Sequence, residues 1–249
     1  MARPGPNSRQ NAPHPHSTFT DPSGKFLLSA DLGADLIRIF SIDATTGKLT
    51  ACPAASAAPG DGPRHGAFWG PADAAADNNI NILYTVNELG NSVTSWAVTY
   101  PTSGGATAAG CLTLTRRQTL STFGPGKAAP RGAKAAEVHV RDNFVYAANR
   151  FDKSFGPRED SLATYAIDPA TGEMTYLESV SAHAYFPRTF EINGKGDMVA
   201  VGGQTSASVA ILERNVTSGR LGRLIASVQV GRLGNENQED GLSHAIWVE

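Results

Sequence analysis

The sequence predicts an all-β fold, a β-propeller of four-stranded blades, on three observations. The 249 residues are rich in glycine (26) and proline (15). Their apolar runs, such as FLLSA and MVAVGG, are short and glycine-bounded, as strands between turns are. One plan also recurs four times along the chain.

The plan reads turn, apolar strand, polar loop, alternating strand, second turn. It occurs in DPSGKFLLSADLGADLIRIFSIDATTGKL (21–49), NNINILYTVNELGNSVTSWAVTYPTSGG (78–105), RDNFVYAANRFDKSFGPREDSLATYAIDPATGEMTYL (141–177) and NGKGDMVAVGGQTSASVAILERNVTSGRLGRL (193–224). The second turn is ATTGKL, PATGEM or VTSGRL, with glycine where a tight connection needs positive φ. Leu36, Ile37, Ile39, Phe40 and Ile42 mix apolar pairs with alternation, as a strand buried on one face and partly covered on the other does. A further strand precedes each unit: PHSTFT (15–20), PRHGAFW (63–69), AEVHV (136–140) and PRTFEI (187–192), and SHAIWV (243–248) comes last. The unit is therefore four-stranded and about 50 residues long, the size of a propeller blade. A parallel α/β fold is excluded, because no helical-length periodic segment separates the strands. Four units and one further strand are few for a closed ring. The expectation is an amino-terminally truncated propeller of about four to five blades, with blades over 14–249 and a disordered or non-native start over 1–13.

A formal net charge of −2 excludes the broad basic field that nucleic acid or an anionic membrane surface needs. No apolar run approaches the length of about 18 residues that a spanning helix requires. Cys52 and Cys111 form neither a disulfide framework nor a zinc pattern and are expected to be inert, half-buried thiols. The stretch MARPGPNSRQNAP lacks the apolar centre of a secretory signal, and localisation stays open between cytoplasm and secretion. NVT at 215–217 is an N-glycosylation sequon placed in a turn.

In an up-down-up-down blade, the start of the first strand and the end of the second share a rim. The residue after proline in the first strand is His16, Arg64 or Arg188, and Glu137 takes the slot after Ala136. The loop after the second strand supplies Asp31, Glu88, Arg150 and Gln204. Polar side chains converging at a channel mouth describe a ligand site. Arginines there select an anionic ligand, while Glu88 and His16 are suited to proton transfer. That combination fits opening or closing an ester ring beside a carboxylate. Of His14 and His16, only one is expected to face the channel. His139 and His183 read as packing or loop residues, no metal or cofactor is called for, and Ser206 lacks the setting of a nucleophile.

The motifs PHPHSTFTDPSGKFLLSADLGADLIRIFSID, GPRHGAF, VNELGNSV, AAEVHV followed by NFVYAANR, FPRTFEI and VAVGGQTSASVAI occur in that order. Through them the chain resembles the seven-bladed propeller lactonase family, which includes bacterial 6-phosphogluconolactonases and fungal 3-carboxy-cis,cis-muconate lactonizing enzymes; it looks closest to the fungal branch. The resemblance implies a catalytic set of His16, Arg64, Glu88 and Arg150. His14, Glu137, Arg188 and Gln204 are assigned to substrate binding. The implied function is a cofactor-free lactonase, or a lactone-forming cycloisomerase, acting on a carboxylated or phosphorylated lactone or a muconate-type substrate. The alternative is a catalytically silent propeller serving as a binding scaffold or secreted surface protein. The expected partner is a small anionic substrate, with homo-oligomerisation left open. Family members carry about two more blades ahead of PHPH.

Overall fold

The computed structural model describes residues 5–70, 81–101, 110–236 and 238–248. The parts of the second repeat at 78–80 and 102–105 lie outside them. The described strands form four antiparallel meanders, each with its strands in chain order. The first holds β1 (Pro15–Thr20), β2 (Phe26–Asp31), β3 (Leu36–Ile42) and β4 (Leu49–Ser56). The second holds β5 (Pro63–Trp69), β6 (Ile82–Asn87), β7 (Ser92–Thr99) and β8 (Thr113–Ser121). The third holds β9 (Lys134–Arg141), β10 (Phe144–Arg150), β11 (Ser161–Ile167) and β12 (Met174–Ser181). The fourth holds β13 (Pro187–Ile192), β14 (Met198–Gly203), β15 (Ser208–Arg214) and β16 (Leu221–Gln229). A 3₁₀ turn, Ser8–Gln10, precedes β1.

The second strands β6 and β10 are buried on both faces, which is why they read as apolar runs rather than alternating ones. The outermost strands β4, β8 and β16 are largely exposed, so burial imposes little periodic pattern on their sequences. Leu28, Ile37, Ile39, Leu83, Trp96 and Leu112 form one core cluster. Tyr146, Leu162, Phe190, Val199 and Leu212 belong to another. The chain separates into two compact units, 1–119 with 169–173 and 120–168 with 174–249, holding the first two and last two sheets respectively. In the first unit, Gly66 of β5 lies so close to the Phe19 ring that an added Cβ would come within 2.4 Å of it. Glycine thus sets the approach of β1 to β5.

Three expectations are corrected. The expected strand SHAIWV makes no ladder. It rests beside β13 through side chains instead: the Trp247 N–H and indole Nε1 each donate at 3.0 Å to Glu191, and His244 Nδ1 lies 3.1 Å from Thr189 Oγ1. β13 pairs with β14 on one edge and ends its sheet, so SHAIWV is held there by side-chain hydrogen bonds and not by a ladder. Residues 5–13, expected as part of a disordered or non-native start, are ordered: Asn7 caps the 3₁₀ turn, and buried Gln10 donates through Nε2 to the Leu32 carbonyl at 3.0 Å. Cys52 and Cys111, expected as free thiols, are joined in a disulfide with Cα atoms 5.8 Å apart. Folding brings together residues 59 apart in sequence, a proximity that spacing alone does not encode.

In the second unit, Arg214 at the end of β15 ties the third and fourth sheets. Its guanidinium donates to Tyr146 Oη and the Gly196 carbonyl at 2.6 Å, to Asp142 Oδ2 at 2.9 Å and to the Arg141 carbonyl at 3.2 Å. The guanidinium carbon also lies 5.4 Å from the Tyr146 ring centroid. Removing it strands the buried Tyr146 hydroxyl and Gly196 carbonyl together. Arg214→Met should therefore destabilise the protein by about 2–4 kcal/mol, read as a lowered midpoint in denaturant unfolding. An unchanged midpoint would show that the network contributes nothing net.

Candidate functional site

The first candidate series is positioned by a repeated defect in pairing. Pro15 faces Asp31 while Ser17 faces Ala30, so His16 is skipped. Arg64 is skipped between Pro63 and His65, which face Asn87 and Val86. Arg188 is skipped between Pro187 and Thr189, which face Gly203 and Gly202. In the third sheet Ala135 faces Asn149 and Val138 faces Ala147, so Ala136 and Glu137 together span Ala148. A β-bulge frees one residue from the ladder and re-aims its side chain. Proline, which has no N–H to donate, sits next to three of the four bulges.

The second series is fixed by a returning hydrogen bond. The N–H groups of Leu32, Glu88 and Gln204 donate to the carbonyls of His14, Gly62 and Phe186 at 3.1, 2.9 and 2.9 Å. Arg150 faces Lys134 in the corresponding place. Glu88, Arg150 and Gln204 are thus equivalent, but Asp31 stands one position early and Leu32 holds its slot. The buried Asp31 carboxylate instead organises its loop, accepting from the His14 N–H at 2.8 Å, the Ala34 N–H at 3.0 Å and Arg38 Nε at 2.8 Å. The likeness of ADLG to NELG concealed this offset.

In the first unit Arg64 and Glu88 are each only 1% exposed. Arg64 Nε donates to Glu88 Oε2 at 2.8 Å, and Arg9 donates to the other carboxylate oxygen. Such a pair offsets its desolvation only when both partners stay engaged. Ser17 Oγ donates to the Arg64 carbonyl at 2.6 Å, and the His16 and His65 rings lie 5.0 Å apart. Arg9, His14, His16 and Leu32 line a cavity of about 570 Å³. Only one of His14 and His16 was expected to face the channel; both line this cavity, because His14 precedes β1 and His16 is the residue the ladder skips, so strand alternation does not part them. His14 also lies 3.0 Å from Asn11 Oδ1 through Nε2.

In the second unit Arg150 is buried beneath Phe186, with 5.1 Å from guanidinium carbon to ring centroid. Its Nη2 donates to the Ala135 carbonyl at 3.4 Å, and its Nη1 lies 3.5 Å from Glu239 Oε2. Glu239 also pairs with Lys134, and its backbone carbonyl accepts from Gln204 Nε2. Burial pushes the Arg150 guanidinium down to about 10, opposed by Glu239 and Asp160, which leaves it a cation at neutral pH. Arg188 is lowered by burial and then by the Arg150 charge, with Glu239 and Glu137 opposing. Glu137 is buried, and its Oε1 accepts the Val138 N–H at 3.1 Å. Asp160 holds the loop after β10, accepting N–H bonds from Phe151, Asp152, Lys153 and Phe186 at 2.8–2.9 Å. His139 packs on Phe190 with ring centroids 4.9 Å apart, and His183 pairs with Glu159 at 3.1 Å, as packing and loop histidines do.

His16, Arg64 and Glu88 are brought together in the first unit, and Glu137, Arg150, Arg188 and Gln204 belong to the second. Arg9, Lys134 and Glu239 were missed. Arg9 and Glu239 reach the clusters from outside the repeats, where no alignment of units could expose them. Lys134 lies two residues ahead of the strand expected from AEVHV, and the observed strand begins at it.

The family model described as lactonase, 7-bladed beta-propeller, matches residues 1–235. A probable 6-phosphogluconolactonase of Arthroderma benhamiae is 37% identical over 215 residues, 86% of this chain and 50% of that protein. The 6-phosphogluconolactonase of Bacillus subtilis is 29% identical, over 91% of this chain and 57% of its own length. Among solved structures, the periplasmic gluconolactonase PpgL of Pseudomonas aeruginosa superposes with a TM-score of 0.71 at 28% identity, covering 92% of this chain and 58% of that one. The chain thus spans about half the length of the curated relatives it matches. With its four-stranded meanders and a family match over nearly its whole length, the chain belongs to the seven-bladed β-propeller lactonase family.

Proposed function

We propose that the protein hydrolyses the ester ring of an anionic sugar lactone, 6-phosphogluconolactone being the leading substrate. The observation that carries this reading is Glu88, a buried carboxylate held at 2.8 Å by Arg64 beside the His16 cavity. As general base, Glu88 takes a proton from water while the water oxygen adds to the lactone carbonyl carbon. The tetrahedral oxyanion is stabilised by the Arg64 guanidinium, with His16 polarising the same oxygen. Collapse breaks the ring C–O bond, and the departing alkoxide takes its proton from Glu88, giving the open hydroxy acid. Arg150 and Arg188, with Lys134, have the chemistry of an anion seat for a phosphate or carboxylate group. Glu137, Gln204 and His14 serve substrate binding in this reading. No metal or organic cofactor enters any step.

The names of the relatives described above favour hydrolysis over the muconate cyclisation that shares its ring chemistry. Glu239 stands where a substrate anion would pair with Arg150 and Lys134. Its removal should take one competing carboxylate away from both cations.

Two outcomes test this reading in the full-length protein. Glu88→Gln should lower kcat on 6-phosphogluconolactone about 10²–10⁴-fold while KM changes little; an unaltered kcat would remove Glu88 from the chemistry. Glu239→Ala should tighten inorganic phosphate binding by roughly three- to tenfold in calorimetric titration, and unchanged affinity would deny the anion seat. A wild-type protein that binds phosphate but turns over no lactone would instead be a binding propeller.

A further inference from the structure

Two observations outside the polar clusters point to one compartment. Cys52 in β4 and Cys111 ahead of β8 are joined by a disulfide, and no cysteine is free. Reducing cytosol keeps such pairs open, whereas secretory compartments close them and keep them closed.

The second observation is the hairpin turn between β15 and β16, where the exposed Asn215 begins the sequon with Val216 and Thr217. Asn215 Oδ1 accepts the N–H groups of Thr217 and Ser218 at 3.0 and 2.9 Å. Its own N–H donates to the Arg220 carbonyl at 2.9 Å, and its carbonyl accepts the Gly219 N–H at 2.8 Å. The first sheet builds the same turn with Asp43. There Oδ1 accepts from Thr45 and Thr46 at 2.9 and 2.8 Å, the N–H donates to Lys48, and the carbonyl accepts from Gly47. An aspartate completes the motif there, so the motif needs only the side-chain oxygen. The amide nitrogen of Asn215 is superfluous to the fold and makes no hydrogen bond among the described residues. Gly219, by contrast, faces inward, where an added Cβ would come within 2.2 Å of the Phe144 ring. The turn is therefore packed on its Gly219 side and open to solvent at Asn215.

We propose that Asn215 is a site of N-linked glycosylation, acquired where the Cys52–Cys111 disulfide also closes. The donor class is an oligosaccharide on a lipid pyrophosphate carrier. Asn215 Nδ2 forms a bond to the anomeric carbon as the carbon–oxygen bond to pyrophosphate breaks. The lipid pyrophosphate leaves with the bonding electrons, and the amide proton passes to a base of the transferase.

The experiment is peptide mapping of the full-length protein from its native source, alkylated without reduction, before and after enzymatic release of N-glycans, which converts a glycosylated asparagine to aspartate. The expected result is a glycopeptide at Asn215, conversion to aspartate on release, and no alkylation at Cys52 or Cys111. An unmodified Asn215, or alkylated thiols at both cysteines, overturns the proposal. Asn215→Asp supplies the second readout, because the Asp43 turn shows the fold tolerates it. The variant should lose the glycan mass and keep the wild-type unfolding temperature and lactonase rate. Retention of the glycan mass in that variant would place the sugar elsewhere and equally overturn the assignment.

Discussion

The first series of candidate residues depends on one backbone irregularity, the bulge near the start of each first strand. Regular pairing would alternate side chains strictly between the two faces. By skipping His16, Arg64 and Arg188, and by stretching the chain across Ala136 and Glu137, the sheets release one residue per repeat from that alternation. The cost is a lost ladder bond in each sheet, and three of the four bulges adjoin a proline that could not have donated one. Variation in the freed residue can then change chemistry while leaving the ladders untouched.

Charge at these positions is paired rather than bare. Glu88 lies between Arg64 and Arg9, and Arg150 is answered by Glu239. Buried charges require such partners, since an unpaired one would shift its protonation or unfold its surroundings. Arg9 and Glu239 both come from outside the repeats. The repeats thus present one half of each ion pair, and non-repeated segments supply the other. Arg214 applies the same rule without any bearing on catalysis, because its guanidinium meets an ordered set of carbonyl, phenol and carboxylate acceptors.

Strand order and blade size were legible because glycine-bounded apolar runs and a repeated turn are local signals. Three strands of each repeat stood out, while the fourth, exposed on much of its surface, did not. The site was legible as a set of types: His16, Arg64 and Arg188 were chosen from sequence at residues the ladder skips, Glu88 and Gln204 at the returning hydrogen bond, and Glu137 within the bulge it shares with Ala136. The exception was Asp31, displaced by a single residue, because a short likeness between loops cannot resolve a register that a backbone hydrogen bond decides.

By itself, then, the sequence determined the all-β fold, the repeat and the candidate residues His16, Arg64, Glu88 and Arg150, since each is written in local pattern or in family motifs. Only the tertiary structure decided that Cys52 meets Cys111, that SHAIWV lies beside β13 without pairing, and that Arg9 and Glu239 answer the buried charges. These are contacts between residues far apart along the chain. Their physical basis is complementarity of groups brought together by the packing of sheets, and no local spacing records it.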